Sequence, residues 1–196
     1  MITIVTKSYS APPINKKEIL RYAGGNSSES TLQLLDECIN EAYDILKYKV
    51  CYCLLPVITT EDLCDFGAFS VKSHKLATNL SNCTQVILMA ATVGIELDRL
   101  ITKYSRISPS KALMLQAFGA ERIETLCDQF CADIKNTLNL PIKARFSAGY
   151  GDLPLDTQKS IFALINPQKH IGLTLNDSML MSPSKSVTAF IGIKEV

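Results

Sequence analysis

Residues 145–154 read Arg-Phe-Ser-Ala-Gly-Tyr-Gly-Asp-Leu-Pro, and they hold the most chemistry per residue in the chain. Arg145 is a permanent planar cation whose forked N–H donors suit a carboxylate held by two parallel hydrogen bonds. Gly149 and Gly151 flank Tyr150, so the backbone there can take positive φ or approach a ligand closely. Ser147 adds a hydroxyl, and Pro154 forces an extended or turning exit. A cation, an aromatic hydroxyl and bare backbone within this stretch compose a small-molecule site. The same residues also compose a strand-to-helix turn with a solvated Arg, and residue chemistry leaves both readings open.

A second set of charges lies upstream. Glu121, Glu124 and Asp128 are three and four residues apart in a helical pattern, which puts Glu124 and Asp128 on one face. A solvated acidic face is the reading preferred for Glu121 and Asp128. Seven cysteines are scattered without a Cys-x-x-Cys knuckle, and the two histidines, His74 and His170, are far from the Cys51/Cys53 and Cys127/Cys131 pairs. They read as buried small hydrophobes in a reducing compartment, with no metal expected.

These groups need elements to position them. Residues 142–146 alternate as a short strand leading into Arg145, and Asp156 opens a helix to Ile165. Ser108-Pro109 starts the longest helix, Ser as N-cap and Pro at the first position, and that helix carries Glu124. Its small residues Ala117, Gly119 and Ala120 leave room for a backbone or a ligand. Residues 84–93 are almost continuously apolar, as in a central strand covered on both faces. Further strands are expected at 1–5, 50–58, 66–71, 173–175, 179–181 and 187–193. Helices are expected after Asn15, from Ser30, from Ser73 to Leu80 and from Glu96 to Tyr104. Gly24 to Ser30 reads as a polar linker, with residues 1–25 an N-terminal extension bearing a short helix.

The 196 residues are 47% hydrophobic and 20% charged, which describes a globular chain of one domain. Twenty Lys+Arg against nineteen Asp+Glu give a net charge of +1, so no global field draws the chain to nucleic acid or an anionic membrane. No apolar run reaches the roughly 20 residues of a membrane span, and a cytoplasmic protein is expected. A dinucleotide fingerprint, a phosphate loop and a nucleophile elbow are all missing, which removes the common nucleotide-binding and hydrolase classes.

The order Arg-x-Ser-x-Gly-Tyr, then Gln158, Ile161-Phe162, Leu164, Ile171 to Leu175, Met181, Pro183 and Ser186, resembles the activation domain of cobalamin-dependent methionine synthase. The likeness covers residues 145–186 well and 84–131 more loosely, and Thr92-Val93-Gly94 is similar to a Thr-x-Gly element of that family. The resemblance implies a C-shaped α+β domain with a twisted, mostly antiparallel sheet and packed helices. It also implies S-adenosylmethionine held by Arg145 through the methionine carboxylate, by backbone groups of the following residues such as Ser147 and Gly149, and by Tyr150 near the sulfonium. Glu124 is the best match to a family carboxylate that reaches the ligand, although a solvated position fits it equally.

As a stand-alone chain, such a domain would serve as a reactivation subunit with no catalytic residue of its own. It would support reductive methylation of cob(II)alamin, with cobalamin carried by a separate methionine synthase or other corrinoid protein and the electron brought by a flavodoxin-type donor. The alternative is an adaptor that docks on a corrinoid protein without using the methyl donor. Residues 151–156 depart from the family's Pro-x-Cys-Pro-x-His stretch, and its later strand with a Tyr pair has no counterpart before Val196.

Overall fold

The computed structural model describes residues 2–25 and 28–194. Its centre is a four-stranded antiparallel sheet in the order β1-β2-β6-β9, formed by Val5–Tyr9, Tyr48–Pro56, Cys83–Thr92 and Ser186–Lys194. The continuous apolar run of β6 has the expected cause. Ile87, Met89 and Ala91 face one core while Val86, Leu88 and Ala90 face another, all essentially inaccessible.

The first core is closed by helices α1 (Lys16–Ala23), α2 (Glu29–Ala42), α4 (Glu96–Ile107) and α5 (Pro109–Leu138). The second lies under α3 (His74–Asn79), α6 (Thr157–Ile165), α7 (Pro167–Ile171) and the small sheet of β3 (Ile58–Thr59), β4 (Leu63–Asp65) and β5 (Ser70–Lys72). A last hairpin joins β7 (Thr174–Leu175) to β8 (Met181–Ser182). The architecture is α+β with antiparallel sheets. Residues 5–23, expected as an extension, supply the edge strand β1 and the helix α1 that packs on α5. Of the linker, Asn26 and Ser27 lie outside the described residues, as does Met1 of the strand expected at 1–5.

Caps explain several boundaries. Asn15 Oδ1 accepts from the Glu18 amide at 3.2 Å and opens α1, and Ser73 Oγ accepts from the Leu76 amide at 3.0 Å and opens α3. Ser108 stands at the N-cap of α5 but its hydroxyl makes no capping bond; Pro109, which needs no partner for an N–H, starts the helix instead. Of the strand expected at 66–71, Ser70 and Val71 lie in β5 and residues 66–69 form the turn from β4, where Gly67 takes φ +76° and its amide binds Asp65 Oδ1 at 2.8 Å. Met179 likewise takes positive φ in the turn before β8.

Glu121 overturns its expected solvated position. It is 1% exposed, its partner Arg122 is 0% exposed, and Arg122 Nε reaches Glu121 Oε2 at 2.5 Å. Arg122 also donates to the Pro12 and Pro13 carbonyls at 2.7 Å, and the Asn15 amide donates to Glu121 Oε1 at 3.0 Å. The Pro12-Pro13 break is thereby fastened to α5, and every charge in the pair is met.

Candidate functional site

The segment leading to Arg145 is less regular than a strand. Only Ile142 and Phe146 bridge to β9, opposite Ile193 and Phe190. Four residue steps on this side oppose three on β9, so an extra residue is bulged out between the bridges. A bulge turns the side chains around it, and Arg145 lies inside this one.

Arg145 turns towards α5, where the i, i+4 spacing presents two carboxylates. Its Nη1 donates to Asp128 Oδ1 at 2.6 Å and to Cys131 Sγ at 3.7 Å, and its Nη2 donates to Glu124 Oε2 at 2.8 Å. Asp128, expected to be merely solvated, is therefore a member of the site. Burial works against the guanidinium's charge, but the Asp128 hydrogen bond and the neighbouring thiols of Cys127 and Cys131 outweigh it, so its pKa rises above the ordinary value. Among the described residues, the Nε–H and one Nη2–H have no hydrogen-bond partner, so the guanidinium keeps two donors beyond those that hold α5.

A groove of about 520 Å³ opens here, lined by Glu124, Asp128, Cys131, Arg145, Ser147 and Tyr150, with Lys143 and Val187 beside them. That volume is in the range of small-molecule sites. Tyr150 is 67% exposed, and its ring stands edge-on to Phe146 with centroids 5.3 Å apart. Gly149 does not line the groove. It takes φ +85° in the turn, with Leu155 Cδ1 3.1 Å from where a Cβ would be, and its amide donates to the Leu153 carbonyl at 3.0 Å. The structure thus gathers Arg145, Ser147, Tyr150 and Glu124 around one groove and leaves Gly149 a conformational part. The room expected at Gly119 is filled by the side chains of Leu97 and Lys185.

Sequence reasoning also missed Asp152. Its carboxylate accepts from Ser73 Oγ at 2.5 Å, from the His74 amide at 2.9 Å and from the Lys75 amide at 3.3 Å. The Ser73 hydrogen bond, opposed by some desolvation and supported by the amides, holds its pKa below the usual carboxylate range. A polar residue two places before a proline is a common turn signal, and nothing in the sequence tied it to a helix start 79 residues away.

Of the seven thiols, six are buried and Cys131 is half-buried. Burial pushes Cys38, Cys53 and Cys64 up to about 11 and Cys51 and Cys127 up to about 12. Buried thiols of this kind pack as small hydrophobes. Among the described residues, no helix is long and apolar enough to cross a membrane.

No protein-family profile matches the chain, and no curated protein is similar to it in sequence. Its fold does match a solved structure, the crystal structure of the MetH reactivation domain bound to AdoHcy. The TM-score is 0.69 at 15% identity, over 97% of this chain and 78% of that one. The chain therefore has the reactivation-domain fold.

Proposed function

We propose that the chain binds S-adenosylmethionine in the groove between α5 and residues 142–150 and acts as a reactivation subunit for a separate cobalamin-dependent methyltransferase. The observation that carries this reading is the Arg145 cluster: in a fold shared with a domain solved with AdoHcy, it lines a groove whose charges complement the donor. S-Adenosylmethionine carries one carboxylate, one ammonium and one sulfonium. Arg145 keeps unused donors for the first, and the spare oxygens of Glu124 and Asp128 suit the two cations. The residues present fit the ligand.

When bound, the donor supplies a methyl group. The chain's own residues supply position: Arg145 fixes the carboxylate end, Glu124 and Asp128 balance the positive charge, and Tyr150 stands exposed beside them. Ser147 contributes a hydroxyl to the same wall. The electron would come from a flavodoxin-type protein and the corrin from a partner, since the chain has no redox motif and no Asp-x-His-x-x-Gly signature. The adaptor reading has one observation in its favour: two carboxylates of this chain already engage Arg145.

The test is a mixture of reduced flavodoxin, S-adenosylmethionine and an inactive cob(II)alamin enzyme, followed by corrin absorbance. Restored methylcobalamin only in the presence of this chain is the expected result. Equal rates with and without it would leave the adaptor.

A further inference from the structure

We infer that α3 is a brace for the binding segment, with Asp152 and Asn79 as positioning residues for Arg145 and Tyr150. The inference rests on the ligand reading above for its link to function, but the brace itself is a matter of geometry. The segment 144–152 is tied to α3 at both of its ends. At one end Asp152 receives the Ser73 hydroxyl and the amides of His74 and Lys75. At the other, Asn79 Nδ2 donates to the Ala144 carbonyl at 3.4 Å.

The two anchors are one short helix apart. Six helical residues span about 9 Å, whereas eight extended steps of backbone reach about 27 Å. The segment between the anchors must therefore fold back on itself: Phe146 stays pinned to β9 by paired backbone bonds to Phe190 at 2.9 and 2.8 Å, with Arg145 just before it and Ser147 and Tyr150 on the turn beyond. Backbone bonds lock that turn: Tyr150 N–H to Ser147 O at 3.1 Å and Leu153 N–H to Tyr150 O at 3.1 Å. Gly151 lets the base lie flat on the helix, because with φ +64° a Cβ there would come within 2.7 Å of Lys75 Cδ. Neither Asp152 nor Asn79 is among the groove-lining residues, so both act through the segment they hold.

The physical benefit is preorganisation. A loop already fixed in its binding shape spends little free energy on ordering when a ligand arrives. Releasing Asp152 frees the base of the turn while leaving Arg145, Glu124 and Asp128 chemically intact.

The experiment uses the full chain with Asp152→Ala, Asp152→Asn and Asn79→Ala. Two readings are taken: S-adenosylmethionine affinity by calorimetry and amide exchange by mass spectrometry. Asp152→Ala is expected to weaken binding by about tenfold, the low end of what removing a partner behind a ligating side chain costs at metal sites. Peptides covering 144–152 should exchange faster, while those of β6 and α5 keep their rates. Asp152→Asn keeps one carbonyl acceptor and should fall between Asp152→Ala and wild type; it and Asn79→Ala decide the matter if Asp152→Ala does not fold. Wild-type affinity in all three variants overturns the brace, as does exchange that quickens evenly through β6. If the unaltered chain binds no S-adenosylmethionine, the ligand reading fails, and exchange alone judges the brace: local quickening supports it, unchanged rates refute it.

Discussion

Replacing Arg145 by alanine is the most direct challenge to the site. The side chain is 20% exposed, so its loss removes a largely buried cation that holds Asp128, Glu124 and Cys131 together. Its carboxylate partners are 48% and 73% exposed, and water replaces what they lose. The fold should therefore lose about 1 kcal/mol or less. Binding is a different matter, because the ligand's carboxylate would lose the guanidinium and find only Lys143 left as a cation in the lining. Truncating one member of a buried charge pair costs about 2–5 kcal/mol. The exposure of the surrounding carboxylates favours the lower half, about 2–3 kcal/mol, or roughly 30- to 150-fold in Kd. Arg145→Lys should recover little, since an ammonium is a point charge without the guanidinium's fork of donors. Calorimetric titration with S-adenosylmethionine, beside thermal melts of each variant, measures both quantities. A wild-type protein that binds, together with both variants binding equally well, would refute the assignment of Arg145.

Tyr150→Phe should keep the melting temperature, because the exposed ring still meets Phe146, but slow corrin methylation in the reconstituted mixture. Thiol titration at pH 8 in the folded state should reach at most Cys131, with the other six reacting only on unfolding, and elemental analysis should find no stoichiometric zinc or iron. Arg122→Ala should cost about 3–5 kcal/mol in denaturant unfolding, since it strands the buried Glu121 carboxylate. Asp133 is held below its ordinary pKa by the Lys7 and Tyr9 side chains, so its contribution is present above an unfolded pKa near 3.9 and is lost as pH falls through the lower folded value. Asp133→Asn should thus lower stability at pH 7 by about 1 kcal/mol and flatten the acid limb in that window.

The helices and the central strand were legible because their signals are local. The unbroken apolar run of β6 and the cap residues Asn15 and Ser73 act within a few positions of themselves. The site was half legible for the same reason. Arg145 and Tyr150 stand out by residue type, and Glu124 and Asp128 share a helix face by spacing. That Asp128 meets Arg145, however, depends on a bulge opposite β9, and a bulge is set by pairing between distant strands. Glu121 looked solvated because it shares helical spacing with Glu124 and Asp128, yet its burial comes from Pro12, Pro13 and Asn15 arriving from over a hundred residues away. Asp152 was unreadable on similar grounds, its partners being amides at the start of a different helix.

The bulge between residues 142 and 146 has a mechanical consequence. Ile142 packs with the first core and Phe146 with the second, so the chain changes layers within those few residues. The groove takes one wall from α5, which belongs to the first layer, and another from Tyr150, whose ring rests on a second-layer residue. A molecule lodged there works as a rivet through two plates, beside the Arg145 bridges to Glu124 and Asp128 that already cross the seam. Peeling away either plate releases it, so by mass action occupancy protects whichever plate is weaker. At a ligand concentration one hundred times Kd that protection amounts to about 2.7 kcal/mol. A melting curve that climbs with ligand concentration would therefore report on the seam between the layers as much as on the pocket.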